Sequence, residues 1–359
     1  MSRNLIFQQP EKVVCWKSSH ELRSRAMGIL LSGLATNDPV ISADSARLLG
    51  DLALIEAVDP LLDYVEQSPY YSKTAGFHAL MQIGQQKACC RIVPLIDNPH
   101  VYDDWFWCCA RAVRFSAALA LLVIDPAQES GFIDEVCENG KSMDYLYPLF
   151  SPVIVEMDET HEKIVRLKKR TLEFICAKKY FKPDIMALVS PALGLVGDAA
   201  SVEQLKWIAK APSRFARGEA IFHLLASGNG SQHVDLGAEL CETDPALYVR
   251  IKAAAGLLLL GQEECINLIE NAIDGEKDSF LRATAVEMAG KVKCAKAIPS
   301  LIRRLNDTDS YVRQCAVEAL EFNKDPVMVQ KIEAAMEDCH PRVRMQAAKF
   351  LMAFHGGNE

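Results

Sequence analysis

A nine-residue phrase, Val-Arg-x-x-Ala-x-x-x-Leu, recurs along this chain and limits what the chain can fold into. It is clearest at Val312-Arg313-Gln314-Cys315-Ala316 ending at Leu320, and at Val343-Arg344-Met345-Gln346-Ala347 ending at Leu351. Taking the closing apolar residue as an anchor gives Leu49, Leu80, Leu121, Leu193, Leu224, Leu257, Ala289, Leu320 and Leu351. Successive anchors lie 31, 41, 72, 31, 33, 32, 31 and 31 residues apart. A unit of about 30 residues is one helical hairpin. Such a hairpin cannot bury its apolar face alone, so repetition at this period implies stacking into a solenoid.

Four residues before the anchors stand Ser45, Gly76, Ala117, Val189, Ala220, Ala253, Ala285, Ala316 and Ala347, mostly small enough to let helices approach closely. Spacings of four keep these positions on one helical face. Twelve residues after the anchors comes an aliphatic column, Leu61, Ile92, Ile133, Leu205, Leu236, Ile269, Leu301 and Ile332, which marks the core face of a second helix. Gly84, Gly197, Gly228-Asn229-Gly230 and Gly261 close first helices, and Pro39, Pro245 and Pro341 introduce new ones. Strand-like alternation is absent. The fold class is therefore all-α, a right-handed α-solenoid of about 9–10 stacked hairpins. Residues 1–359 form one solenoid: N-terminal repeats over 18–125 with an aromatic insertion at 98–111, divergent repeats over 126–182 with a basic helix at 163–182, and regular repeats over 183–355.

Composition narrows the class further. Half of the 359 residues are hydrophobic, which supports a long core, yet no apolar run reaches the roughly 20 residues of a membrane span. Met1 to Lys17 lacks the features of a secretory signal. The 12 cysteines contain no C-x-x-C, and Cys265, Cys294 and Cys315 fall in or beside helices, so they read as small hydrophobes in a reduced, cytoplasmic setting.

Segments such as Asp309-Ser310-Tyr311-Val312-Arg313-Gln314-Cys315-Ala316-Val317-Glu318-Ala319-Leu320 and Ala192-Leu193-Gly194-Leu195-Val196-Gly197-Asp198-Ala199 resemble HEAT-like repeats of the phycobilisome-lyase type. The resemblance covers about Asp38 to Asp125 and Pro183 to the C-terminus. It implies that first helices line the convex side and second helices the concave side, so that function is read from the second helices. Some proteins of this architecture are enzymes. Deoxyhypusine hydroxylases hold iron with His-Glu pairs in several repeats, whereas here only His20-Glu21 and His161-Glu162 occur, outside the legible repeats. HEAT-like DNA glycosylases need a cationic groove, which a net charge of -8 opposes. Bilin lyases remain as the enzyme alternative, a lyase-like subunit that binds a tetrapyrrole and its client protein.

The phrase arginines, Arg114, Arg217, Arg250, Arg282, Arg313 and Arg344, with Lys73 beside them, read as a structural ladder. Asp38, Asp278 and Asp309 of neighbouring hairpins are their expected partners and helix caps. The non-core positions of the second helices give Pro60, Asp63, Tyr64, Arg91, Phe132, Glu135, Gln204, Trp207, Asp235, Glu239, Asn271, Arg303, Arg304 and Lys331. Two departures from the period add to them: Tyr102-Asp103-Asp104-Trp105-Phe106-Trp107, and a positive helix carrying Lys168, Lys169 and Arg170.

The expectation is a non-catalytic protein-binding scaffold of adaptor, chaperone-like or immunity type. Tyr102, Trp105, Phe106, Trp107, Trp207, Asp63, Glu135, Glu239, Arg303 and Arg304 are its candidate contacts, and Lys168, Lys169 and Arg170 a basic patch. The partner is a protein, with no catalytic residue, metal, cofactor, nucleic acid or membrane.

Overall fold

The computed structural model describes residues 19–97, 107–129, 131–139, 154, 157, 161–175, 183–322 and 326–356. Among these residues the secondary structure is entirely helical. The α-helices are α1 (Ser19–Leu34), α2 (Pro39–Asp51), α3 (Val58–Gln67), α4 (Tyr70–Ile83), α5 (Cys89–Asp97), α6 (Trp107–Ile124), α7 (Phe132–Asn139), α8 (Glu162–Ile175) and α9 (Pro183–Val196). The series continues with α10 (Ala199–Ile208), α11 (Arg214–Ala226), α12 (Val234–Thr243), α13 (Leu247–Leu259) and α14 (Ile266–Gly275). It ends with α15 (Ser279–Lys291), α16 (Ile298–Arg304), α17 (Ser310–Ala319), α18 (Pro326–Ala335) and α19 (Pro341–Gly356). The aromatic insertion at Tyr102, Trp105 and Phe106 lies outside the described residues, as does the side chain of Trp107.

Every anchor is buried, none above 2% exposed. The residues four before them are buried too. Close approach explains the small side chains: a Cβ on Gly76 would stand 2.4 Å from Val65 Cγ1 on α3. In the second-helix column Leu61, Ile92, Ile133, Leu205, Ile269, Leu301 and Ile332 are fully buried. Leu236 departs from it, being only partly buried, and the neighbouring Gly237 faces the core instead, against Leu225 and Leu257. The longer turn at Gly228-Asn229-Gly230 shifts α12 by one residue. Gly84, Gly197 and Gly261 end first helices at φ of 70°, 60° and 86°, a region that disfavours any residue with a Cβ.

The aspartates eleven before the anchors are caps and not ladder partners. Asp38 Oδ1 accepts from the Val40 and Ile41 amides, Asp278 from Phe280 and Asp309 from Tyr311. The ladder uses the aspartates two residues earlier. Arg217 donates to both oxygens of Asp244 at 2.8 and 3.0 Å, Arg282 to Asp307 at 3.1 and 2.7 Å, and Arg313 to Asp338 at 2.7 and 2.9 Å. Each rung ties a first helix to the loop before the next one, with the forked geometry that arginine and carboxylate share.

The first helices form the crowded row of the array. A Cβ on Gly50 would come within 2.6 Å of the Ala79 Cα, and one on Gly290 within 2.6 Å of the Ala319 Cα, so α2 meets α4, and α15 meets α17, almost backbone to backbone. Successive second helices touch only lightly. An array with one row crowded and the other splayed bends toward the crowded row. The concave face therefore belongs to the first helices, the reverse of what the repeat resemblance implied.

The two ends of the array also meet. Helix α1 takes the place of a second helix following α19, packing on α19, α2 and α3. Leu22, Ala26, Leu30 and Leu34 form its buried stripe, and Ser45 on α2 donates to the Leu30 carbonyl at 2.5 Å. Ion pairs cross the closure: Arg25 with Glu337, Arg342 with Asp44 at 2.5 Å, and Lys349 with Asp51 at 3.5 Å. One apolar cluster consequently contains both Leu22 and Leu351 and extends to Leu167, while a smaller one spans Ile185 to Leu257.

Candidate protein-binding face

Positions nine, five and two before each anchor, and two after it, share a stripe on the first helices that points away from the core and into the concavity. On α11, α13, α15 and α17 the first of these positions is aromatic in every case: Phe215, Tyr248, Phe280 and Tyr311. The rings form a ladder. Phe215 meets Tyr248 edge-on at 5.2 Å and Phe280 at 5.9 Å, and Tyr248 stacks on Phe280 at 5.7 Å with the planes 16° apart. Phe215, Phe280 and Tyr311 are 39%, 39% and 43% exposed, whereas Tyr248 is buried.

Beneath the ladder lies a polar node that fixes Tyr248. Its hydroxyl donates to Glu219 Oε1 at 2.5 Å, and Lys252 Nζ reaches the same oxygen at 2.8 Å with its side chain only 4% exposed. The ammonium also sits 5.6 Å from the Tyr248 ring centre and 5.7 Å from that of Phe222. Burial opposes ionisation of Glu219, but His223, Lys252 and Tyr248 outweigh it and hold the carboxyl far below the usual carboxylate range. A buried cation and anion each satisfied in this way give the face a rigid floor.

The rest of the stripe divides in two. Toward α9 it is apolar, with Leu188, Leu195 and Leu259 each about half exposed. Toward α17 it is charged, with a cavity of about 520 Å³ between α15 and α17 lined by Glu287, Lys291, Cys315 and Glu318 among others. Glu287 and Lys291 pair at 2.7 Å. Burial pushes the Cys315 thiol up to about 12, so it stays protonated at neutral pH and is no nucleophile.

The residues singled out from the sequence are not brought together here. Asp63 and Arg91 pair at 2.7 Å on the second-helix side, and Arg303 pairs with Asp274 at 2.5 Å. Arg304 serves Asp307 at 3.1 Å. Trp207 and Glu239 are exposed on α10 and α12, and Glu135 is half-buried on α7. Tyr64, Phe132 and Gln204, expected on the open face, are core residues. The basic helix is neutralised from α7 and the turn before it: Lys163 contacts Asp134 at 2.9 Å and Glu129, whose side chain is fully buried, at 2.5 Å, and Arg166 also binds Asp134. Lys168 donates to the Met157 carbonyl, Arg170 faces Glu173 at 3.4 Å, and Lys169 remains exposed. Among the described residues no group of three or more His, Cys, Asp or Glu could hold a metal ion. None of the described helices is long and apolar enough to cross a membrane.

Comparison with known proteins follows the same outline. Residues 234–321 match the HEAT-repeat family model. No curated protein matches the sequence. Among solved structures, human deoxyhypusine hydroxylase with glycerol is similar at 16% identity, covering 94% of this chain and 98% of that one, with a TM-score of 0.34. An engineered protein is similar at 15%, over 93% and 98%, with a TM-score of 0.33. The complex of CpcE and CpcF of phycocyanin lyase from Nostoc sp. is similar at 13%, over 87% and 97%, with a TM-score of 0.30. None of these three likenesses carries a functional argument. With the phrase and its buried columns along the array, and HEAT repeats matched over residues 234–321, this chain is an α-solenoid of stacked helical hairpins.

Proposed function

We propose that this protein is a non-catalytic scaffold of the cytoplasm that binds a protein partner through the inner face of α11 to α17. The observation that carries this reading is the aromatic ladder: rings in register on four successive first helices, half-exposed at Phe215, Phe280 and Tyr311 and buried at Tyr248, above a buried Glu219–Lys252 node. Half-exposed rings in a contiguous row are an apolar patch that a partner covers with gain, and rigid aromatics are the side chains that dominate such interfaces. The charged half beside Glu287 and Glu318 sets orientation and register.

Affinity capture from the native host tests this. Recovery of one stoichiometric protein, lost in a Phe215→Ala/Phe280→Ala variant and retained in Trp207→Ala, is the expected result. Loss with Trp207→Ala and not with the ladder variant would return the site to the second helices. A chromophore retained after co-expression with a bilin pathway would overturn the non-catalytic reading.

A further inference from the structure

Between α11 and α19 the arginine ladder breaks at Arg250. Arg217, Arg282, Arg313 and Arg344 each use Nη1 to donate to the two carbonyls six and five residues upstream, at 2.8 to 3.3 Å. Three of them also grip an aspartate of the next loop with two bonds. Arg250, the corresponding residue of α13, makes none of these bonds, and its Nε is buried without a hydrogen-bond partner. The place of the aspartate is taken by Glu276, whose Oε1 instead accepts from the Asp278 amide at 3.0 Å. Arg250 lies in a cleft of about 850 Å³ on the outer side, between α12 and α14. Leu247 and Leu268 give this cleft apolar walls, Asn267 and Asn271 give it amide groups, and Glu242 and Glu264 stand at its exposed rim.

We propose that the cleft is a carboxylate-binding site, in which a ligand carboxylate takes the position on Arg250 that Asp244, Asp307 and Asp338 take on the neighbouring arginines. The neighbouring rungs define the chemistry. A guanidinium whose Nε is buried and unpaired forgoes a hydrogen bond, and a planar carboxylate supplies it with two charge-assisted bonds. Glu242, Glu264 and Glu276 repel polyanions, which restricts the ligand to a single carboxylate, free or carried as an aspartyl side chain with neutral or basic neighbours. The leucine walls suit its methylene, and the asparagine amides suit flanking peptide groups.

The Arg250 Nε–Hε resonance provides the test, followed in the full-length protein during titration with sodium acetate and, separately, with N-acetyl-aspartate amide. Sodium chloride at equal ionic strength is the control. The expected result is a saturable shift of that resonance in the wild type, with binding weakened about tenfold or more in Glu276→Asp, which supplies the carboxylate from within. Tighter binding of the blocked aspartate assigns the ligand to a polypeptide, and equal binding of acetate to a small free acid. No saturable shift with either carboxylate, or the same affinity in Glu276→Asp, would overturn the proposal. Glu276→Asp is expected to be more thermostable than wild type, so misfolding does not confuse the outcome.

Discussion

Glu219 concentrates the chemistry of the inner face at residue scale. Its carboxylate is shared by a phenol and an ammonium that have almost no water of their own. Replacing it by glutamine leaves the Lys252 charge buried and half-satisfied, and we expect a loss of about 3 kcal/mol in urea unfolding. The pH dependence has a definite sign. The folded carboxyl titrates below its ordinary value of 4.5, so its stabilising contribution is complete above that pH and disappears as pH falls below it. The gap between wild-type and Glu219→Gln unfolding midpoints should therefore be wide at pH 7 and shrink below pH 4.5. A gap unchanged down to pH 3 would mean the node does not titrate as described. The sequence carries one signal for Glu219 and Phe280, the aromatic column nine before the anchors, and the repeat resemblance hides it. The column lies on helices assigned to the wrong side of the curve.

At the scale of elements, two kinds of ion pair separate clearly. Asp307, with a side chain 2% exposed, holds Arg282, itself 11% exposed, by two bonds across consecutive repeats. We expect Asp307→Ala to cost about 3 kcal/mol, with most of that loss shared by Arg282→Ala in a double-mutant cycle. Lys296 and Glu263, 62% and 76% exposed, also bridge two repeats, yet their removal should leave the unfolding midpoint unchanged. Glycines divide in the same way. Gly28 of α1 has open space where a Cβ would stand, so Gly28→Ala should stabilise by about 1 kcal/mol through helix propensity alone. Gly290→Ala must push α15 off the α17 backbone and should destabilise by about 1 to 3 kcal/mol. Thermal unfolding of the two variants checks the opposite signs. The helices, their anchors and the structural role of the arginines were all legible from period and polarity. The ladder partner was misplaced by two residues because Asp307-Thr308-Asp309 offers both a rung and a cap, and spacing does not tell them apart. Curvature was missed for a related reason: it depends on contact between rows, and its signal was the small residues Gly50, Ala79, Gly290 and Ala319 beside the anchors.

For the whole molecule the decisive contact joins the ends. Omitting residues 19–34 uncovers the apolar sides of α19 and α2, and the shortened protein is expected to unfold at lower temperature and to self-associate at micromolar concentration. Light scattering after size exclusion checks this, and an added peptide of residues 19–34 should restore a single monomeric peak. A shortened protein that stays monomeric and equally stable would show the closure to be incidental. The same contact bears on the order of events during synthesis. Helix α1 leaves the ribosome well before α19, and its binding place is not finished until α19 has been made. Until then α2 and α3 cover only part of the stripe of Leu22, Leu30 and Leu34, and the side that meets α19 stays open. Any product that stops short of α19 exposes that side of α1, so incompleteness at one end of the chain is displayed as an apolar surface at the other.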